Sequence, residues 1–337
     1  MKTTQEVKQR NADIDLMRGL CMVAILLDHT ELYMTGDNII AYNLYVPNAL
    51  SAFFVISGYL FWRRKQPFSL KKKIISIVKG LLLPYFIFTL LMALPKALFY
   101  DRDVAGGFLA VFGGQASWFV AALIVAELIY STLLYICKER TWLIFLCVCG
   151  CYAAGAMMSG DKKMFPWQVN IGLMATLFLW AGHSMERLVS VLREAGKWLF
   201  GDNILQKKPN TVGILFGLTA VLLFLKWWGW HREEHLLLCP VDISNHAFFI
   251  FDMLVGVAFL YYLCRLLPRL RLLEWTGRHT LVIYFFCGAV PLLVSTAFKR
   301  MGLTYEGNYL VILLAFVLVW TLCGLIAWML SALGIKH

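Results

Sequence analysis

Residues 18–33 read RGLCMVAILLDHTELY. Arg18 and Gly19 open the stretch, an apolar run follows, and Asp28 and His29 then stand side by side. An ionisable group at bilayer depth costs at least about 2.5–3.5 kcal/mol on insertion scales. Such a group persists where it faces a cavity or a partner instead of lipid. Whether the run spans lipid at all is decided by the rest of the chain.

The chain has 337 residues, 60% of them hydrophobic and only 15% charged, with a mean hydropathy of +0.70. Soluble domains are about 25% charged. Apolar runs of about 20 residues recur along its length, and a helix of that length at ~1.5 Å per residue spans the ~30 Å hydrocarbon layer. The expected fold is all-α: a polytopic transmembrane helical bundle of about ten spans. They lie near 17–36, 41–62, 74–94, 117–137, 141–158, 168–185, 211–230, 245–264, 280–298 and 308–332. An even number puts both termini on one side. Most of the 31 Lys and Arg fall in the N-terminal segment, the C-terminus and the loops near 63–73, 138–140, 187–208 and 265–278. Both termini are therefore expected to be cytoplasmic.

Short loops, with no internal repeat or low-complexity tract, indicate one integral-membrane domain over 1–337. The connection near 95–116 is expected as a re-entrant or amphipathic piece. The segment near 186–208 suits a surface helix, with Lys197, Lys207 and Lys208 toward anionic headgroups. The first span is expected to be retained, because Asp28-His29-Thr30-Glu31 follows its apolar run where a cleavage site would need small residues. The net charge of +11 is explained by loop topology, so nucleic acid is not an expected partner. The nine cysteines lie within or at the ends of spans, apart from Cys239, and form no Cys-x-x-Cys pair. No metal site is expected.

The ionisable residues within spans are Asp28, His29, Glu127, His183, His246 and Asp252. His183 and His246 fall at span ends, and Asp252 has sparse polar surroundings. Arg18 and His29 are 11 positions apart. Eleven steps of about 100° return the helix to within about 20°, so the two share one face, about 16 Å apart along the axis. Arg18 then sits at the cytoplasmic rim and His29 beyond the midplane. Arg18 can equally be a positive-inside anchor paired with Asp15. Asp28 points about 80–100° away and need not touch the imidazole. Glu127, about 15 Å along its helix, reaches the bilayer centre. It is either a neutral packing residue or a wall of the space His29 faces.

These residues carry a resemblance. DIDLMRGLCMVAILLDHT, residues 13–30, resembles the opening of the acyltransferase 3 family of integral-membrane acyl-transfer enzymes, where a basic residue, ten residues and a His mark the first helix. Here those are Arg18 and His29. FFVISGYLF (53–61) is similar to the second-helix Phe-Phe-x-x-Ser-Gly signature. A basic run leads to LLLPYF (81–86), and SWFVAAL (117–123) and EWTGRHTLVIYFF (274–286) are similar to later elements. Thr280 stands where the last element usually has Ser, and Cys287 where it usually has His. Paired arginines before the third-helix Pro are not evident; Lys71, Lys72, Lys73 and Lys79 stand nearby.

The resemblance implies transfer of an acyl group, usually acetyl, from cytoplasmic acyl-CoA to a hydroxyl of a carbohydrate acceptor. It implies a bacterial inner-membrane location and no bound cofactor, acetyl-CoA being a donor substrate. Histidine suits the removal of a hydroxyl proton near neutrality. His29 is the candidate general base, with Asp28 or Glu127 as the carboxylate that orients it. The candidate acyl-CoA contacts are Arg18, Arg63, Arg64, Lys72 and Lys73, arginine being suited to forked phosphate contacts. Ser57, Tyr59, Trp118 and Tyr284, within the matching motifs, are candidate substrate contacts, although Ser57-Gly58 equally suits close helix packing. Membrane lipids and a second copy of the chain are further expected partners. A proton-coupled transporter and a non-catalytic membrane sensor stay open as alternatives; no matched pair of broken segments in the two halves favours a carrier.

Overall fold

Asn11 begins the first helix by accepting a hydrogen bond from the amide of Asp13 at 3.1 Å. Helix α1, Ala12–Thr35, ends at Gly36, whose φ of +91° is the left-handed conformation that closes helices. The computed structural model describes residues 11–62, 68–100, 104–160, 162–200 and 211–333. In these segments the chain is helical apart from its loops and a small hairpin, which fits the expected all-α class.

The helices are α2 (Val46–Trp62), α3 (Leu70–Ile77), α4 (Leu83–Tyr100), α5 (Val104–Phe112), α6 (Trp118–Ile136), α7 (Thr141–Met158) and α8 (Val169–Phe200). After residue 210 come α9 (Thr211–His231), α10 (His246–Leu266), α11 (Arg271–Arg278), α12 (Thr280–Phe286), α13 (Ala289–Arg300) and α14 (Tyr309–Ala332). A π-helical turn, Val78–Leu82, joins α3 to α4. Strands β1 (Leu236–Leu238) and β2 (Val241–Ile243) form an antiparallel hairpin with Leu237 opposite Asp242. Asp242 takes an ion pair from Lys162 at 2.6 Å, tying the hairpin to the loop after α7.

Six helical segments are long and apolar enough to cross a membrane, or seven if α12 and α13, bent by 46° at their junction, are one span. The protein is thus a multi-pass membrane protein. The other three apolar runs read from the sequence are α1, α2 and α8. All three are helical, but α1 carries Asp13, Asp15, Arg18, Asp28 and Glu31, and α2 has 17 residues. The start of α8 is apolar, and its C-terminal half runs into charged sequence. The separate surface helix expected near 186–208 is, as far as Phe200, a continuation of α8 that includes Lys197. Lys207 and Lys208 lie outside the described residues. The piece expected near 95–116 contains the nine-residue α5.

The charges of α1 are tolerated because it is the central helix, packed by α2, α10, α11, α12, α13 and α14. Asp15, Asp28 and Glu31 are buried inside protein, not exposed to lipid. The lipid-facing surface is supplied elsewhere, by Leu83, Ile87 and Leu91 of α4, Phe216, Leu223 and Phe224 of α9 and Leu310, Leu314 and Val317 of α14, all exposed. Tyr309 bonds Glu31 near the end of α1, and Gly324 contacts Trp275 of α11, which crosses the start of α1. α1 and α14 are therefore antiparallel, and the described ends of the chain share one end of the bundle, the terminal end.

Two crossings rest on glycine. A Cβ on Gly277 would lie 1.7 Å from the Asp15 carbonyl oxygen, and one on Gly19 would lie 2.0 Å from that of Leu273. α1 and α11 thus touch backbone to backbone. Gly58 and Gly182 do the same for α2 and α8, with a Cβ at 2.0 Å from Leu179 O and 1.9 Å from Val55 O.

Candidate active site

At the far end of the bundle a cavity of about 410 Å³ is lined by His29, Tyr33, Thr89, Ser117, Trp118, Tyr284 and Cys287 among others. The segment beside it is held through backbone carbonyls: Trp167 N donates to Gly113 O at 2.7 Å, and the buried Tyr85 hydroxyl donates to Val111 O at 2.8 Å. This anchors the loop that carries Ser117 into α6. Ser117 is the N-cap of α6, yet its side chain makes no capping bond.

His29 Nδ1 lies 3.3 Å from Asp28 Oδ2. The two neighbours do meet, although adjacent helical positions diverge. Asp28 is itself fixed, because its Oδ1 accepts a 2.6 Å hydrogen bond from Asn38 beyond the end of α1. The His29 side chain is 31% exposed and Asp28 only 6%, and that open imidazole surface faces the cavity. A proton on Nδ1 donated to Asp28 leaves the Nε2 lone pair for a substrate group.

A second cavity, of about 320 Å³, lies toward the terminal end. Arg18, Ser57, Lys73, Glu127, Arg278, His279 and Tyr284 are in its walls. Lys73 Nζ pairs with Glu127 Oε2 at 2.8 Å and sits 4.1 Å from the centre of the Phe61 ring. Ser57 donates to Glu127 Oε1. Glu127, read as either a neutral packing residue or a wall of the space His29 faces, lines the terminal-side cavity instead, its carboxylate paired with Lys73 and bonded by Ser57. Ser57 lines this cavity and bonds Glu127, while the adjacent Gly58 admits α8, the close packing expected of the motif.

Tyr284 of α12 lines both cavities. Its ring centre lies 5.4 Å from that of Phe119, another wall residue of the terminal-side cavity. The span that carries Tyr284 breaks directly after it, at Cys287 and Gly288. A broken span and the π turn at Val78–Leu82 are features the sequence reading did not find.

The remaining sequence candidates scatter. Trp118 lines the far cavity, while Tyr59 turns away into a separate apolar space with Ile14, Met17 and Tyr261. Two residues along α2 from Ser57 is about 200° of rotation, enough to change faces. Lys72 is exposed at the start of α3 and is not in the wall of the terminal-side cavity. Arg63 and Arg64 lie outside the described residues. Arg278, His279 and Cys287 are wall residues the sequence reading did not select. Only contact with α1 reveals them. Asp252 has strong surroundings after all: Lys226 Nζ reaches its Oδ2 at 2.6 Å and Asn48 Oδ1 at 2.7 Å, joining α9, α10 and α2. His183 and His246, at span ends, each meet a tyrosine, Tyr130 at 2.6 Å and Tyr152 at 3.0 Å.

A histidine oriented by a carboxylate in one cavity, and cations in the other, can activate a hydroxyl and bind an anionic donor. Neither a curated protein nor a solved structure matches the chain. A family model described as an acyltransferase domain matches residues 11–328, nearly the whole chain. With its helical membrane bundle and its paired cavities, the chain belongs to the acyltransferase 3 family of membrane acyl-transfer enzymes.

Proposed function

We propose that this membrane acyltransferase moves an acyl group, acetyl in the simplest case, from cytoplasmic acyl-CoA to a hydroxyl of an envelope or exported glycan. The observation that carries this reading is Tyr284, common to a cation-lined cavity at the terminal end and a His29-lined cavity at the far end. The donor occupies the first cavity, its phosphates meeting Arg18 and Arg278 at the mouth and its thioester directed at Tyr284. The acceptor occupies the second, where Trp118 offers a flat apolar face and His29 takes the hydroxyl proton. Asp28 orients the ring and supports the imidazolium that forms. Lys73, already paired with Glu127, shapes the donor cavity.

In this account all ten helical segments cross, the terminal end is cytoplasmic, and the membrane is the bacterial inner membrane. The excess of Lys and Arg in the terminal-end loops supports that orientation. Purified protein incubated with acetyl-labelled acetyl-CoA and a panel of envelope glycans tests the reading. Label moving to a glycan is expected. A second reading, a proton-coupled carrier, draws on the broken span between α12 and α13. A carrier leaves the thioester intact, so unchanged acetyl-CoA with accumulation of a solute in vesicles would replace the first reading with the second.

A further inference from the structure

Cys287 closes α12 at the break in the last-but-one apolar run, and its thiol is buried, 5% exposed. It shares the far cavity with His29, close enough for thiol and imidazole to influence each other electrostatically. Asp28 Oδ2 lies 3.3 Å from the Nδ1 of that ring. Thiol and imidazole thus meet at one cavity with a carboxylate on the ring's Nδ1, the set of groups with which a base activates a sulfur nucleophile and a third group orients the base. A second feature points to a ligand. Ser117, 8% exposed, lines the same cavity beside Tyr284, and its buried Oγ makes no hydrogen bond of good geometry. Ser117 leads into α6, where the first-turn amides are unpaired within the helix. A hydroxyl donor left idle in a buried wall suits the oxygen of an acyl carbonyl.

We infer that Cys287 is an acyl-carrying nucleophile, so that transfer proceeds by two half-reactions through an S-acyl enzyme. The inference rests on the acyl-CoA reading above. In the first half-reaction His29 takes the Cys287 proton and the thiolate adds to the donor carbonyl. The carbon–sulfur bond to CoA breaks, and CoA sulfur leaves with the proton from His29, as the free thiol. One thioester replaces another. In the second, His29 takes the proton of the acceptor hydroxyl, and the alkoxide oxygen attacks the acyl carbon on Cys287. The Cys287 sulfur leaves and regains the proton, yielding an ester and the resting thiol. Ser117 donates to the carbonyl oxygen in both steps. This resolves the problem posed by two cavities, since donor and acceptor need never be bound together. Only the acyl group then needs to pass Tyr284.

The test is self-acylation. Full-length purified protein is given acetyl-labelled acetyl-CoA without acceptor, quenched in acid, and digested for mass mapping. Label approaching one acetyl per chain, on Cys287 and released by neutral hydroxylamine, is expected. Cys287→Ala should lose it, and Cys287→Ser should keep a slower label that resists hydroxylamine, as an oxygen ester does. Bound acetyl-CoA with no label at Cys287, or Cys287→Ala transferring to an acceptor at the wild-type rate, would overturn the S-acyl step and leave the transferase reading intact. A wild-type chain that binds no acetyl-CoA would contradict both.

Discussion

Asp28 Oδ2 lies 3.3 Å from His29 Nδ1, and Asn38 holds the other carboxylate oxygen at 2.6 Å. The carboxylate is held at both oxygens, and through Nδ1 it orients the imidazole that lines the far cavity. Asp28→Asn preserves shape but can turn its amide N–H toward the ring and favour the wrong tautomer. The expected result is a fall in kcat of roughly 10²–10⁴-fold with acetyl-CoA affinity unchanged. The pH–rate profile should also lose its inflection for the free base. A purely structural role would lower protein yield and leave the shape of that profile alone.

Glu127 tests the division between the cavities. It is bound to Lys73 at 2.8 Å and to Ser57, away from His29. Glu127→Gln keeps a partner for Ser57 and adds one net positive charge to the donor cavity. At about 1 kcal/mol for a screened charge a few ångströms from a phosphate, KM for acetyl-CoA should fall roughly fivefold. Steady-state kinetics check this. A kcat near zero with normal KM would return Glu127 to the catalytic role that its position in the cavity argues against.

Arg18 and Arg278 come from opposite ends of the sequence to one cavity wall. Charge-assisted hydrogen bonds are worth about 1.5–3 kcal/mol each. Replacing either arginine by Gln should therefore weaken acetyl-CoA binding by roughly 10–100-fold, with the acceptor KM unmoved. Isothermal titration with acetyl-CoA measures the loss, and affinity equal to wild type would exclude the mouth assignment.

Lys226 and Asp252 form a buried pair at 2.6 Å, Asp252 being fully buried. Lys226→Ala strands a carboxylate and should cost about 3–5 kcal/mol, seen as a lower Tm in detergent. The double change Lys226→Met with Asp252→Leu should recover most of that loss, because no charge is left without its partner.

Sequence periodicity was enough to place the long apolar helices, because an apolar run of span length has few other structures available in lipid; α11, within the stretch 265–278 read as a loop, and the break between α12 and α13 escaped it. It also put Arg18 and His29 on one face of α1, and they do line successive cavities. It could not supply what comes from across the bundle. Cys287 stood out only as a departure from the family pattern, and its approach to His29 is a tertiary contact between α1 and the end of α12. The Lys73–Glu127 pair joins α3 to α6, and nothing local to either residue announces the other. Gly277 shows its purpose only when Asp15 of α1 is found 1.7 Å from where a Cβ would stand. Tyr59 was misplaced for the opposite reason: a motif was read as one unit, although its residues project from different faces of α2.

The Gly277 contact gives a stability prediction of its own. Gly277→Val forces α1 and α11 apart and should cost at least about 1–3 kcal/mol, the range for overpacking. Gly80→Ala, where nothing lies within 4 Å of the added Cβ, should leave the detergent Tm nearly unchanged.

The most direct measurement concerns His29. Purified His29→Ala and wild-type protein are compared for acetyl transfer from labelled acetyl-CoA and, separately, for binding of that thioester. Abolished transfer with retained binding is the predicted outcome, since the imidazole serves the chemistry and the cationic mouth holds the donor. Transfer by the variant at the wild-type rate would contradict the account at its centre.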